Sequence, residues 1–160
     1  ESFQSKRYQN MGITLPFVQD NVCRSKYGAI RGLHYQSTHP QGKLAIVLRG
    51  KIFDVAVDIR RNSPTFGKWK GAILSDTNHQ QLYIPPGFAH GYCTLSETAD
   101  IYYKITDYHY PEDELGIIWN DLQIGIDWPR LHTPAILSEK DKKNKTIAEI
   151  PNEYFPLCKW

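Results

Sequence analysis

The stretch KLAIVLRGKIFDVAVDI, residues 43–59, decides the fold of this chain. Apolar residues recur at every second position, first at 44, 46 and 48 and then at 53, 55, 57 and 59, and an Arg-Gly pair separates the two runs. A period of two residues is typical of a strand with one buried face, and a glycine between two such runs is typical of a turn. We therefore expect two consecutive strands, the second half-buried. On its polar side, Asp58 is expected to be solvated, and for Asp54 both solvent and a pocket stay open.

Further strand signals surround this stretch. Short apolar and aromatic runs bounded by Gly, Pro, Asn or Ser predict strands at 29–36, 69–74, 80–84, 89–95 and 100–106. Short strands with frequent turn residues between them are typical of a sandwich or barrel. Residues 3–10, and the cap-like segment from Ser138 to Asp141, predict short helices at the two ends of the chain. The predicted class is all-β, a jelly roll or similar barrel.

Length and composition predict a single domain. The chain has 160 residues, 41% hydrophobic and 22% charged, which suffices for one core without disulfides or a structural metal. We divide it into an N-terminal arm (1–28), a barrel core (29–110) and a C-terminal extension (111–160). The net charge of +2 is too small to favour nucleic-acid binding, and no apolar stretch has the length of a membrane span.

The cysteines indicate the redox environment. Cys23, Cys93 and Cys158 are odd in number and share no CxxC spacing. This pattern is typical of reduced thiols in a cytoplasmic protein, and it does not favour zinc. The first residue is Glu rather than Met, and we therefore expect the native chain to begin earlier.

Three phrases concentrate residue types that carry chemistry: RGLHYQ at 31–36 with QGKL at 41–44, IPPGFAHGY at 84–92, and YYKITDY at 102–108. His34 is a candidate general base because an imidazole titrates near neutral pH. Lys43 is a candidate stabiliser of a developing oxyanion. If 37–42 is the loop of a hairpin, His34 faces Ala45 and lies diagonal to Lys43, with their Cα atoms roughly 7–8 Å apart. The two side chains would then share one substrate.

Arg31 and His34 present a geometric difficulty, because residues three positions apart point to opposite faces of a regular strand. A bulge at Gly32 would bring both to one side. Alternatively, Arg31 lies at the barrel mouth, outside the pleat.

Together with FVQDN at 17–21, SPTFG at 63–67 and WND at 119–121, these phrases closely resemble the dTDP-4-dehydrorhamnose 3,5-epimerase family. The resemblance runs from residue 1 to about residue 142. It implies a cupin-type jelly roll and a carbohydrate epimerase without cofactor or metal. The implied reaction converts dTDP-4-keto-6-deoxy-D-glucose to dTDP-4-keto-L-rhamnose through enolates, in deoxysugar biosynthesis.

The resemblance also implies four catalytic roles. His34 removes a proton from the carbon next to the C4 ketone, and Asp141 orients His34. Lys43 stabilises the C4 enolate. Tyr103 returns a proton from the opposite face of the sugar, which turns hydrogen exchange into inversion.

Six further residues are implied to bind the substrate. His90 lines the catalytic pocket, Glu1, Gln19 and Asn21 hold the thymine and its deoxyribose, Arg31 holds the diphosphate, and Tyr108 stacks near the base. In the family part of this pocket comes from a partner subunit, which implies a homodimer.

Alternatives stay open for several of these residues. Ser138 and Asp141 also fit a capping box, in which the carboxylate returns to the Ser138 amide. Tyr103 shares its strand face with Ile101 and Ile105 and fits a core tyrosine as well. The remaining histidines lack such context and are expected on the surface or in turns: His39, His79, His109 and His132.

Alternatives also stay open for the function. A relative that inverts only C3 or only C5, or acts on another 4-keto sugar nucleotide, would carry the same four catalytic residues. A sugar-nucleotide-binding cupin without turnover and a metal-dependent cupin are the other two possibilities.

Overall fold

Strands are the main regular secondary structure of residues 1–157, the part of the chain that the computed structural model describes. One helix, α1, spans Ser5–Asn10. Nine strands follow in this described part: β1 Gln19–Lys26, β2 Ile30–Gln36, β3 Lys43–Arg49, β4 Lys51–Asp58, β5 Trp69–Ser75, β6 Gln81–Ile84, β7 Phe88–Thr94, β8 Thr98–Ile105 and β9 Glu114–Gly116. Three 3₁₀ helices lie near the end of the chain: Asp141–Lys143, Ile147–Glu149 and Asn152–Tyr154. Cys158 lies outside the described residues.

The strands form two antiparallel sheets. A four-stranded sheet has the order β1-β8-β3-β6, and a five-stranded sheet has the order β5-β4-β7-β2-β9. The predicted strands agree with the observed ones to within two residues, and the all-β class with short helices at the ends is confirmed. β1 from the predicted arm and β9 from the predicted extension both join the sheets; the three-part division of the chain itself stays a prediction. No helix among residues 1–157 is long and apolar enough to cross a membrane.

The predicted hairpin of β2 and β3 is wrong. β2 pairs with β7 and β9, whereas β3 pairs with β6 and β8, so the two strands belong to different sheets. The short segment 37–42 crosses from one sheet to the other instead of turning back beside its own strand. His34 and Lys43 therefore do not lie on one face of one sheet; they come from the two sheets that face each other.

Strand β4 is buried on both faces rather than on one. Its inner face packs in a core between the two sheets, formed by Ala45, Val47, Ile52, Ala56, Leu74, Ile84, Tyr92, Ala99 and Ile101. Its outer face packs in a second core that the C-terminal extension covers: Leu33, Tyr35, Val55, Val57, Ile59, Ala89, Ile117, Ile124, Ile147 and Phe155. The alternating pattern thus marks the outer face of β4, and its polar positions point into the barrel.

A close approach of β2 and β7 shapes the wall of the barrel. The pairing register shifts between Arg31 and His34, which confirms the expected irregularity at Gly32. Gly32 has a φ of +115°, and a Cβ there would lie 2.7 Å from the Cα of Gly91. Only glycine permits both the backbone conformation and the contact. The irregularity lets Arg31 and His34 point to the same side of the sheet.

Asp58, expected to be solvated, is 1% exposed. The turn after β4 folds back over it, and its carboxylate accepts hydrogen bonds from the side chains of Arg60, Ser63 and Thr65 at 2.6–2.9 Å. Burial would raise the pKa of Asp58, but these donors outweigh burial and hold the pKa well below its usual value. Three side-chain donors follow Asp58 within seven residues, and this spacing could have indicated that its carboxylate is buried. The alternating strand pattern indicated solvent exposure instead.

Asp58→Asn is expected to lower the free energy of unfolding by about 2–4 kcal/mol at pH 7, because a neutral amide cannot satisfy the same charged donors. Because folding lowers the pKa of this carboxyl, its contribution is complete above pH ~4 and is lost as the pH falls below that value. Urea denaturation at pH 7 and pH 3 measures both effects, and the gap between wild type and variant narrows at pH 3. The exposed Asp127→Asn serves as control; equal losses in both variants at pH 7 would contradict the prediction.

Candidate active site

A pocket of about 410 Å³ opens between the two sheets. β1, β2, β3, β7, β8 and β9 all contribute to its lining. Six of the predicted site residues line it: Asn21, Arg31, His34, Lys43, His90 and Tyr103. Residues up to 82 positions apart in the sequence are thus brought to one cavity by the stacking of the sheets.

His34 and Asp141 form a tight pair at the wall of the pocket. The Nε2 atom of His34 lies 2.5 Å from Oδ1 of Asp141, whose side chain is 1% exposed. The hydroxyl of Ser138 donates to the other oxygen of Asp141 at 2.7 Å, and it accepts from the backbone N–H of Asp141 at 3.0 Å. Asp141 therefore bonds the Ser138 hydroxyl rather than its amide, and this local contact and the contact with His34 coexist on separate oxygens.

The electrostatics of Asp141 determine which nitrogen of His34 carries the proton. Burial would raise the pKa of Asp141, but hydrogen bonds from His34 and Ser138 outweigh burial and lower it. An ionised carboxylate only accepts hydrogen bonds, so Nε2 of a neutral His34 must be the protonated nitrogen. Its Nδ1 is then the nitrogen with the free lone pair.

Lys43 and Tyr103 face His34 from the four-stranded sheet. Burial lowers the pKa of Lys43, while the charges of Glu114 and Asp54 oppose that shift. Burial, with smaller effects of Cys23 and Glu114, raises the pKa of Tyr103 to about 12, so its phenol stays protonated through the neutral range. Tyr103 packs against the inner core and lines the pocket at once. A cation and a proton donor thus oppose a base across the cavity.

A second histidine and carboxylate pair adjoins the first. His90 is the partner of His34 in the β2 and β7 register, and its Nε2 lies 2.7 Å from Oδ1 of Asp54. Asp54 is fully buried, and its Oδ2 has no hydrogen-bond partner within residues 1–157. This geometry answers the open question about Asp54. Asp54 lies behind His90, and its carboxylate holds the His90 ring by a hydrogen bond from the barrel interior.

Three residues predicted for the nucleotide lie at one side of the pocket. Arg31 and Asn21 line it directly. The amide of Gln19 donates to Oδ1 of Asn21 at 3.0 Å, and its oxygen accepts from the backbone N–H of His109 at 3.2 Å. Gln19 therefore orients Asn21 and the segment that carries His109.

Two residues predicted to bind the nucleotide do not line the pocket of their own chain. Glu1 forms an ion pair with Arg7 at 3.0 Å, in the arm that packs on the outer face of the four-stranded sheet. Tyr108 is 56% exposed; its carbonyl accepts from Gln36 and Gln41, and its backbone N–H donates to Oδ1 of Asp107. These two glutamines fix the backbone of residues 107–110 so that His109, expected in a turn or on the surface, lines the pocket in place of Tyr108.

Glu114 is the site residue that sequence reasoning missed most clearly. It lines the pocket from β9, and its carboxylate contacts both His109 and Lys140. A three-residue edge strand has no useful periodicity, so its pairing with β2 could not be predicted. Tyr92, Ser25 and Cys23 were missed as well; their linked polar groups line the opposite part of the pocket.

The donor set of the pocket bears on metal binding. Within residues 1–157, no group of three or more His, Cys, Asp or Glu side chains is arranged to hold a metal ion. One nitrogen each of His34 and His90 is engaged by a buried aspartate.

Comparison with known proteins agrees with this geometry. The profile of the family described as dTDP-4-dehydrorhamnose 3,5-epimerase matches residues 1–149. A protein of that name from Neisseria gonorrhoeae is 52% identical over 149 residues, which are 93% of this chain and 45% of that protein. The chain thus spans less than half of that relative. One from Methanothermobacter thermautotrophicus is 49% identical over 152 residues, 94% of this chain and 82% of that protein.

Solved structures extend the comparison to the fold. The dTDP-6-deoxy-D-glucose-3,5-epimerase of Legionella pneumophila, solved in complex with dTDP-4-keto-L-rhamnose, has a TM-score of 0.97 and 54% identity over 100% of this chain and 85% of that one. The enzyme of Bacillus anthracis, with TDP and PPi bound, has a TM-score of 0.87 and 45% identity over 92% of this chain and 84% of that one.

Fold and pocket define a cupin-type jelly roll with acid–base side chains between its sheets. The chain belongs to the dTDP-4-dehydrorhamnose 3,5-epimerase family. The family and the cupin-type fold predicted from the sequence are confirmed.

The geometry predicts the tautomer of His34. In neutral His34 we expect the proton on Nε2, because Asp141 accepts a hydrogen bond from it. Long-range ¹H–¹⁵N NMR correlation of the imidazole distinguishes the two tautomers directly. Asp141→Asn should give a mixture, since an amide can donate as well as accept, whereas the exposed His132 should be unchanged. A wild-type ring with its proton on Nδ1 would contradict the assignment.

Proposed function

We propose that this chain is a carbohydrate epimerase that converts dTDP-4-keto-6-deoxy-D-glucose to dTDP-4-keto-L-rhamnose. The observation that carries the proposal is the pair of His34 and buried Asp141, 2.5 Å apart, in a pocket that Lys43 and Tyr103 also line. The Legionella pneumophila relative, solved with dTDP-4-keto-L-rhamnose, supports this choice of ligand. No cofactor is needed, because base, oxyanion stabiliser and acid all come from the chain.

His34 acts as the base in this proposal. Asp141 accepts a hydrogen bond from Nε2–H and so leaves the lone pair on Nδ1, which takes the proton of the carbon next to the C4 ketone. The electron pair of that C–H bond moves into an enolate whose charge resides on the C4 oxygen. Asp141 stabilises the imidazolium that forms, as a buried carboxylate does beside a catalytic histidine.

Lys43 meets the charge that develops on the C4 oxygen. A preorganised cation in a dry pocket stabilises an oxyanion far more than it would in water, typically by about 10²–10³ in rate for one donor. The neighbouring charges of Glu114 and Asp54 favour the protonated form of Lys43 and so oppose the effect of its burial. The C–H bond is acidic only while this interaction is available.

Tyr103 returns the proton. His34 belongs to the five-stranded sheet and Tyr103 to the four-stranded sheet, so they approach a sugar ring in the pocket from opposite sides. Removal on one face and return on the other inverts the carbon. Return by His34 on the same face would only exchange the hydrogen with solvent.

The nucleotide end of the proposal uses Arg31 for the diphosphate, since a guanidinium offers a fork of donors to phosphate oxygens. Asn21, with Gln19 behind it, is proposed for the thymine and its sugar, and His90 for the pocket wall near the hexose. Glu1 and Tyr108 lie outside the pocket of their own chain, so their proposed role requires a second copy. A homodimer is therefore part of the proposal.

Three broader predictions complete the proposal. Residues 1–160 form a single jelly-roll domain, the ligand is a small-molecule sugar nucleotide rather than nucleic acid, and the enzyme acts in the cytoplasm. The last rests on the cysteine pattern. Of the cysteines, Cys23 and Cys93 are unpaired within the described residues.

Inversion at one centre is the second candidate. A dTDP-4-dehydrorhamnose 3-epimerase of Streptomyces niveus is 36% identical over 140 residues, 87% of this chain and 67% of that protein. The relatives from Neisseria gonorrhoeae and Methanothermobacter thermautotrophicus, both named as 3,5-epimerases, are more similar, at 52% and 49%, and favour inversion at both C3 and C5.

The first functional prediction concerns His34. Wild type incubated with dTDP-4-keto-6-deoxy-D-glucose in heavy water should incorporate deuterium at C3 and C5 with inversion at both, as measured by proton NMR. His34→Ala should slow exchange at both positions by about 10³-fold or more, because it removes the imidazole that Asp141 orients. Asp141→Asn should slow it less.

His132→Ala is the matched control, since His132 is exposed and only stacks on Tyr27. Deuterium at C3 alone would support the single-centre candidate. Exchange at the wild-type rate in His34→Ala would refute the assignment of the base, and binding without any exchange in wild type would leave a sugar-nucleotide-binding cupin.

The second functional prediction concerns Tyr103. Tyr103→Phe should reduce inversion by about 10²-fold while hydrogen exchange falls by less than tenfold, because His34 still removes and returns the proton on its own face. Comparison of deuterium incorporation with product formation in one sample gives the ratio.

Tyr102→Phe is the matched control, because Tyr102 lies on the outer face of the same strand, where its hydroxyl accepts from Lys104. Equal losses of exchange and inversion in Tyr103→Phe would assign Tyr103 a purely structural role.

A further inference from the structure

The carboxylate of Glu114 connects three charged or titratable side chains beside the pocket. Its Oε1 lies 3.7 Å from Nδ1 of His34, and its Oε2 lies 3.2 Å from Nε2 of His109. The same Oε2 forms an ion pair with the ammonium of Lys140. His34 thus has a carboxylate on each side of its ring: Asp141 at Nε2 and Glu114 facing Nδ1.

The distance of 3.7 Å exceeds that of a hydrogen bond, so Glu114 acts on Nδ1 through its charge. Burial would raise the pKa of Glu114, but Lys140, His34 and His109 outweigh burial and lower it, so the group is ionised. An anion near Nδ1 favours the imidazolium. An imidazolium has no lone pair and cannot remove a proton from carbon, so an unbalanced Glu114 would inactivate the base.

Lys140 supplies the balance. Its ammonium pairs with Glu114 on the side away from the ring, and the next residue, Asp141, holds the other nitrogen of His34. Lys140 is itself half-exposed, and no contact joins it to His34. Two consecutive residues at the start of one 3₁₀ helix therefore act on the two sides of one ring: Asp141 accepts a hydrogen bond from Nε2–H, and Lys140 neutralises the carboxylate that faces Nδ1.

We propose that Lys140 is a positioning residue that neutralises Glu114 and holds its carboxylate off Nδ1, so that Glu114 does not favour the imidazolium form of His34. The charge of Lys140 also contributes to the lowered pKa of Lys43, as the smallest of the four causes. The part of this inference that makes His34 a catalytic base rests on the proposed function. The part that concerns the charges of Glu114 and Lys140 around the His34 ring does not.

The other charged or titratable groups near the His34 ring are the same in the wild type and in a variant changed only at Lys140. The titratable or charged side chains that face His34 or its two carboxylates are Asp141 and Glu114 in direct contact, Lys43 from β3, His90 from β7, Tyr103 from β8, and His109 beside Glu114. Because a change at Lys140 leaves all six in place, a shift in titration can be assigned to the pair of Lys140 and Glu114.

The test is a charge series on the whole chain. Lys140→Met should move the acid limb of the kcat/KM profile for epimerisation to higher pH by about one unit, as expected for an unbalanced charge at this distance. Activity above that limb should be retained. Lys140→Arg should keep the wild-type limb. The double variant Lys140→Met/Glu114→Gln should return the limb towards wild type, although loss of Glu114 from the pocket can raise KM.

The matched control is Lys142→Met. Lys142 lies two positions away in the same segment and pairs with the exposed Glu139, so it removes the same charge without touching the site. The proposal fails if Lys140→Met shifts the limb no more than Lys142→Met does. It also fails if Lys140→Met changes KM or kcat equally at every pH, which would indicate a substrate contact or a structural role.

A measurement without substrate separates this inference from the proposed function. NMR titration of the His34 imidazole in the free protein should show the same upward movement of its midpoint in Lys140→Met and its reversal in the double variant. An enzyme that does not turn over the sugar nucleotide but shows this movement would refute the function and keep the inference. Unchanged His34 titration in an active enzyme would refute the inference alone.

Discussion

The central strands of the five-stranded sheet, β4, β7 and β2, are buried on both faces, and this constraint governs the rest of the structure. A polar side chain on its inner face cannot be left to solvent, because an unpaired buried group costs about 1–3 kcal/mol or more. His34 and His90, neighbours across β2 and β7, each carry an aspartate behind them. The requirement to satisfy buried polar groups and the requirement to orient a catalytic base are met by the same hydrogen bonds.

The second structural constraint is that the chain crosses from one sheet to the other between β2 and β3. Because 37–42 crosses to the facing sheet, the imidazole of His34 is on one wall and the amine of Lys43 and the phenol of Tyr103 are on the other. A hairpin would have placed His34 and Lys43 side by side, with no opposing acid. Because the two walls are separate, side chains of the protein can approach both faces of one sugar ring in the pocket.

Sequence reasoning found most of the strands because alternation over several residues reports burial directly. It failed where position depends on distant pairing. The partner of β2 could not be read from its own pattern, and so the hairpin was wrong, and Glu114 on the short β9 was missed. The same dependence on distant residues applies to Tyr108 and His109. Gln36 and Gln41, which are far away in sequence, determine which of these two adjacent rings lines the pocket. The prediction for Asp58 was wrong for another reason: alternation was taken to mean that the polar face of β4 is exposed, whereas that face points into the barrel and the turn after β4 covers Asp58.

That extension has two tasks in the molecule. Ile124, Ile147 and Phe155 close the outer core, and Asp141 from the same stretch reaches through to His34. Along the chain these residues follow all nine strands of the described part. The outer core and the hydrogen bond that orients the His34 ring therefore depend on the same segment, so a protein in which that segment has not packed has neither.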